Sequence, residues 1–164
     1  MTFYVNINVI VRYADDTINA AKTTQRSVIA SVENSTNGSK GLSNIQKGNY
    51  GEMKMDVYFE SLGYERISGD RVIGLNQSTH HGIDGVYFKP DGHPPFIIAE
   101  AKYGSSKLGK TRDGIQMSDT WIRGSNRLEN AVGKVTADDI LEQGFDKFLV
   151  NIASDGTMTV TKLQ

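Results

Sequence analysis

Hydrophobic positions along this chain follow two different periods. Phe3, Val5, Ile7, Val9 and Val11 alternate with Tyr4, Asn6, Asn8 and Arg12, which predicts an opening strand, although Phe3, Ile7, Ile10 and Val11 also fit one helical face. Asp15 and Asp16 then offer an N-cap for a helix carrying Ile18, Ala21, Gln25, Val28, Ile29 and Val32. Residues 34–47 are polar, rich in Gly and Ser, and read as an exposed loop. Helical spacing resumes over 48–62 through Tyr50, Met53, Val57 and Leu62, with Gly63 as terminator. Glu52 falls near the start of that helix, where the macrodipole alone would favour an acid. Short strands are predicted at 64–67 and 72–75, then a hairpin over 83–88 and 96–103, and a polar, basic loop over 104–114. A helix follows over 116–132, burying Met117, Trp121, Leu128 and Val132, with Gly124 as its weak point. Thr136 and Asp139 have capping-box spacing and open a short helix ending near Gly144, and strands at 145–153 and 158–163 close the chain.

The hairpin carries charges where an apolar face should continue. Pro94 and Pro95 donate no backbone hydrogen bond, so the second strand pairs fully only from Phe96. That sets Phe88 opposite Phe96, Val86 opposite Ile98 and Asp84 opposite Glu100, all on one side, with Lys102 two residues further along. Two carboxylates facing each other destabilise a strand pair unless something neutralises them, and a divalent cation is the obvious neutraliser. A solvated strand end is the plain alternative for a lone Glu-x-Lys. The apolar run before Glu100 and the matching Asp84 favour a site.

Composition narrows the chemistry. At 164 residues the chain is expected to form one domain with a real core, residues 48–164, preceded by an N-terminal extension over 1–47. No run approaches the roughly 18 apolar residues of a membrane span, and the N-terminus lacks a basic flank and cleavage site, so no membrane partner is expected. With no cysteine, metal ligands must be carboxylates, His or carbonyls, which favours a hard cation such as magnesium, with zinc or manganese as alternatives. The net charge of -1 gives no global nucleic-acid signature. Charge is uneven, however: residues 102–134 hold seven basic side chains against three acidic ones. This basic side includes Lys107, Lys110 and Arg112, expected phosphate contacts.

Phosphodiester hydrolysis requires a cation to stabilise charge on the phosphate, an activated water and a group that positions it. Asp84 and Glu100, with the Ala101 carbonyl, are the expected metal ligands, and Lys102 the group that orients or deprotonates the water. Lys suits that task because an ammonium near other charges in a partly buried site shifts readily toward the amine. Through these residues the chain resembles the PD-(D/E)xK nuclease superfamily. Gly51-Glu52 on the first core helix, Gly82-Ile83-Asp84-Gly85 and Glu100-Ala101-Lys102 on adjacent strands, and Gln116 on the following helix carry the resemblance, over roughly residues 48–152. Gly82-Ile83 stands where the family pattern has Pro before the acid. Within the superfamily the chain is most similar to C-terminal nuclease domains of bacterial polymorphic toxins, such as those of contact-dependent growth inhibition systems.

The resemblance implies a restriction-endonuclease-like, three-layer α/β/α core around a central mixed sheet. It implies a metal-dependent DNase, with Glu52 as a further metal or water contact and Gln116 near the scissile phosphate. It also implies a cognate immunity protein, and delivery as the C-terminal part of a larger toxin into the cytoplasm of a target cell. An RNase toxin, a resolvase or restriction-like nuclease, and a non-catalytic nucleic-acid-binding module are the competing readings; the last has no need of the acids. His80 and His81, adjacent and so pointing opposite ways on an extended chain, read as loop or polar contacts rather than ligands, and Ser105 as a loop hydroxyl.

Overall fold

A computed structural model describes the backbone of residues 7–164, and side chains from Asp15 onward. Helix α1, Ile7–Glu33, replaces the expected opening strand from Ile7 on; the part of that strand before residue 7 lies outside the described residues. Asp15 and Asp16 sit inside this helix and cap nothing. The short alternation at the start also fits a helical face, and an existing helix extends at little cost because each added residue brings its own hydrogen bond. Helix α2, Asn44–Ser61, begins ahead of Gly48 because Ser43 and Gln46 form a capping box: Gln46 N donates to Ser43 Oγ at 3.3 Å, and Ser43 N to Gln46 Oε1 at 3.0 Å. Glu52 therefore lies about two turns inside the helix, beyond the reach of the N-terminal dipole. Gly63, with φ +87°, takes the left-handed conformation that follows the helix end.

The strands are β1 (Glu65–Arg66), β2 (Gly85–Phe88), β3 (Phe96–Tyr103), a small separate pair β4 (Lys110–Thr111) and β5 (Gly114–Ile115), then β6 (Phe145–Ile152) and β7 (Met158–Leu163). β4 and β5 lie in the stretch expected to be loop. The main sheet has the order β1-β2-β3-β6-β7. β2 and β3 are antiparallel, with Phe88 opposite Phe96 and Val86 opposite Ile98 as the prolines dictated. β3 and β6 are parallel, so residues 104–144 form the long crossover that parallel strands require. No strand forms at 72–75: the Val72 carbonyl accepts Gln25 Nε2 at 2.8 Å and the Leu75 carbonyl accepts Asn49 Nδ2 at 2.7 Å, so side chains satisfy this backbone in place of a ladder.

The crossover is not the single helix expected over 116–132. α3, Asp119–Arg123, is capped by Ser118 and gives way at Gly124–Asn126 to a tight turn with Ser125 and Asn126 at positive φ, before α4, Arg127–Val132. Gln116 precedes α3 in an irregular segment. α5, Lys134–Gln143, starts directly after Gly133, which leaves Thr136 and Asp139 inside the helix without a capping role.

Alternation along the strands feeds two cores. Val86, Phe96 and Ile98 pack with Trp121, Ile122, Leu128, Ala137 and Ile140 of α3, α4 and α5. Tyr87, Ile97, Ala99, Val150 and Ile152 pack with Val32 of α1 and Tyr50, Met55 and Phe59 of α2. Helices pack with a mixed five-stranded sheet in an α/β fold, and each buried aliphatic or aromatic side chain contributes about 1.5–3 kcal/mol. Among the described residues no helix is long and apolar enough to cross a membrane.

Candidate functional site

The site forms where β3 outruns its neighbour. Phe96 and Ile98 point into the core under α3–α5, and the same parity carries Glu100 and Lys102 past the start of β2. Asp84 stands one residue before β2 and reaches across, its Oδ2 accepting the Ala101 N–H at 3.0 Å. A buried polar network fixes that entry point. Arg66 donates to the Asp84 carbonyl at 3.0 Å and to Asp56 Oδ1 at 2.7 Å. Asp56, fully buried on α2, also accepts Tyr87 OH at 2.6 Å and Gln25 Nε2 at 2.7 Å. Gly85 is required here, since a Cβ would lie 2.5 Å from the Tyr87 hydroxyl that reaches over it to Asp56.

Glu100 is 2% exposed. Its Oε1 accepts Lys102 Nζ at 2.8 Å and also Gln116 Nε2, while Oε2 is buried without a hydrogen-bond partner. Gln116 is held at its other end, where Oε1 accepts Gly109 N at 3.2 Å. Lacking a helix, it reaches Glu100 from the irregular segment after β5. Burial pushes the Asp84 carboxyl well above the usual carboxylate range, with the neighbouring Glu100 and Glu52 charges adding to it. Burial also raises Glu100, against the opposing pull of the Lys102 ammonium. Two adjoining acids that resist ionisation in this way call for either a proton or a cation.

Glu52 approaches from α2. Gly51 faces the sheet: a Cβ there would touch Ile152 Cδ1 at 3.4 Å and Ala101 Cβ at 3.7 Å, ordinary contact distances, and Glu52 follows it at the sheet end. His80 arrives from the irregular segment between β1 and β2, which Asn49 ties to α2 through the Leu75 and Gln77 carbonyls at 2.7 and 2.8 Å. Among the described residues, Glu52, His80 and Asp84 form the group whose ligand atoms all lie within 4.8 Å of one another. His80 Nε2 and Glu52 Oε2 are 3.3 Å apart, and the Glu52 carboxylate holds the imidazole above its usual pKa. Glu100 adjoins Asp84 but stands outside that group, while Ala101 lines the cleft beside it.

These side chains line an open cleft of about 440 Å³, together with Thr111, Trp121 and Arg127. Two further concavities share its walls, one past Lys102 lined by Lys47, Ser105 and Lys107, the other past His81 lined by Ser68, Arg127 and Asn130. Lys107 is therefore beside the cleft. Lys110 and Arg112 project from the β4–β5 hairpin, exposed and outside the central lining, with Arg112 Nε 3.7 Å from Asp113. His80, Arg66 and Arg127 are the site residues that periodicity did not single out. For Arg127 the one available signal was its membership of the basic stretch. No protein-family model, no curated protein and no solved structure matches the chain.

Proposed function

We propose that this chain is a metal-dependent endonuclease of the PD-(D/E)xK type that cuts DNA, acting as the effector domain of an antibacterial toxin with a cognate immunity protein. One observation carries the reading: Asp84, Glu100, Lys102 and Gln116 meet at the open end of the sheet, with one buried Glu100 oxygen left unpartnered. A fold gains nothing from such an arrangement. Burying two carboxylates together costs stability, and a site in which charge must be managed during a reaction is where that cost is tolerated.

The donors fit a divalent ion. Glu52, Asp84 and Glu100 bring three carboxyl groups to the cleft, and burial with mutual repulsion resists the ionisation of Asp84, a cost that a cation beside it would offset. Asp84 would hold the ion, with Glu52 and His80 on one side and Glu100 and the Ala101 carbonyl on the other. When bound, such an ion supplies positive charge where the phosphate gains negative charge and makes water a better nucleophile. The protein's own contribution is positional. Lys102, fixed by Glu100, would orient the attacking water as a hydrogen-bond donor, and Gln116 holds Glu100 in place and faces the phosphate. The shared walls of the three concavities suit a polymer lying across the cleft better than a small enclosed substrate. Lys47 and Lys107 would meet backbone phosphates along the flank of the cut.

An immunity protein of this toxin would present acidic groups to the basic flank around Lys107 and Lys110. The test is expression of the chain in bacteria from a tightly repressed promoter, with nucleoid staining and ribosomal RNA followed in the same cells. Growth arrest with loss of chromosomal DNA, intact RNA and relief by Lys102→Ala is the expected result. Normal growth with intact DNA contradicts the proposal, and loss of RNA alone transfers it to an RNase toxin.

A further inference from the structure

We propose that His80 is a ligand of the bound cation, so that Glu52, His80 and Asp84 form a nitrogen-containing site selective for a first-row transition ion, manganese or zinc, over magnesium. The proposal deepens the reading of the cleft as a divalent-cation site and rests on it.

The geometry is close to that of a filled site. Ligand atoms about 2.0–2.2 Å from one ion lie at most ~4.4 Å apart. The three atoms here are all within 4.8 Å of one another, so small side-chain rotations close the site without moving the backbone. The chain leading to His80 is anchored as far as Gln77. Asn49, 1% exposed, clamps two carbonyls of the segment that leads to His80, and Gln46 Nε2 donates to Asn76 Oδ1 at 3.0 Å one turn earlier on the same helix. Gln77 ties the segment to itself, accepting Ile73 N at 3.1 Å and donating to the Arg71 carbonyl at 3.2 Å. Glu52 sits one residue beyond Gly51 on α2, and Asp84 is pinned by Arg66 and Ala101 N.

A second observation points independently to a cation. Glu100, 2% exposed and adjoining Asp84, leaves Oε2 without a partner in the same cleft. Arg127, the other cation in the lining, is committed elsewhere: it donates to Asp113 Oδ2 at 2.8 Å and lies 4.6 Å over the Trp121 ring. Of the Lys and Arg side chains that line the cleft, Lys102 is the one paired with an acid of the site, Glu100. Ligand chemistry then decides which ion. Magnesium prefers oxygen ligands and retains its waters, whereas zinc takes imidazole nitrogen readily; manganese, the softer of the two oxygen-preferring ions, is less averse to nitrogen than magnesium and reports it spectroscopically. The competing account is a plain His80–Glu52 ion pair that fastens the segment to α2.

The test uses the purified full chain stripped with chelator, as wild type and His80→Ala. Calorimetric titration with manganese, zinc and magnesium is combined with pulsed electron paramagnetic resonance of bound manganese. The wild type should bind manganese and zinc at least about tenfold more tightly than magnesium and show nitrogen coupling to manganese. His80→Ala should lose that preference and the coupling, with magnesium affinity changed less than about threefold. Manganese bound by the wild type without nitrogen coupling, or unchanged in the variant, overturns the proposal and leaves the ion pair. If the variant does not fold, the wild-type coupling decides the question alone. Magnesium-supported DNA cleavage without nitrogen coupling sinks this proposal and spares the nuclease reading. Nitrogen coupling without any cleavage does the reverse.

Discussion

Replacing Asp84 by Asn should make the metal-free chain more stable while disabling its site. In the folded chain the Asp84 carboxyl ionises only against burial and against the charges of Glu100 and Glu52. An amide of the same shape keeps an oxygen for the Ala101 N–H, now 3.0 Å from Oδ2, and turns an NH₂ toward Glu100, whose Oε2 has no donor. Supplying a donor to an orphan buried oxygen recovers about 1–3 kcal/mol, and at this chain length each kcal/mol is worth ~2–4 °C, so Tm should rise by roughly 2–12 °C. The sign of the pH dependence follows from the raised carboxyl. Its contribution to stability is fully present below the usual carboxylate range and is lost as pH rises through the elevated folded value. The Asn variant should therefore gain little near about pH 4 and most near about pH 8. Thermal unfolding of both proteins in chelator across that range measures it. A variant less stable than wild type at the alkaline end, or an advantage that shrinks with pH, refutes the argument and makes Asp84 a structural acceptor for Ala101.

Three further outcomes follow from the same geometry. Gly85→Ala places a Cβ 2.5 Å from the hydroxyl of Tyr87, whose bond to Asp56 keeps the ring from retreating. Urea denaturation should show a loss of about 1–3 kcal/mol or more, and a wild-type midpoint would show that the ring moves freely. Asp56→Ala leaves the Arg66 guanidinium, with only 1% of its side chain exposed, without its carboxylate. A loss of about 3–5 kcal/mol is expected, with weaker manganese binding because Arg66 holds the Asp84 carbonyl; unchanged unfolding and binding would contradict both steps. Divalent ions should raise Tm more at about pH 8 than at about pH 5, because burial and the neighbouring acids hold Asp84 toward its protonated form and an ion there competes with the proton. Equal shifts at both values would separate Asp84 from the ion.

How much of this was legible in the sequence depended on whether a feature was local. The Phe88–Phe96 register was readable because Pro94 and Pro95 deny early pairing, and that register carries Asp84 to Ala101 and Glu100 into the cleft. The start of α2 was misplaced although Ser43 and Gln46 spell a capping box, because the surrounding Gly and Ser residues masked it. Gln116 was assigned to a helix because Met117 and Trp121 have apolar helical spacing. The left-handed Met117 and the Ser118 cap delay that helix to Asp119. The alternation of side chains along a strand does not describe His80. Its segment forms no strand, and it is brought to Glu52 by way of Asn49, which bonds to carbonyls 26 and 28 residues away. No periodicity reports such a contact. The same applies to Arg66, whose partner Asp56 lies across the sheet–helix interface.

The central claim, that the cleft hydrolyses phosphodiester bonds, is tested most directly by the rate at which the purified chain nicks supercoiled plasmid. Wild type and Lys102→Ala are compared with magnesium, with manganese and with chelator. Lys102 Nζ stands 2.8 Å from Glu100 Oε1, and its side chain is only partly exposed, so truncating it removes the group that handles the water without opening the core. The account predicts cleavage that requires the ion and falls by about 10²–10⁴ in the variant, with DNA affinity nearly unchanged and the variant still folded in the presence of the ion. No cleavage with any divalent ion, or equal cleavage by the variant, would contradict it.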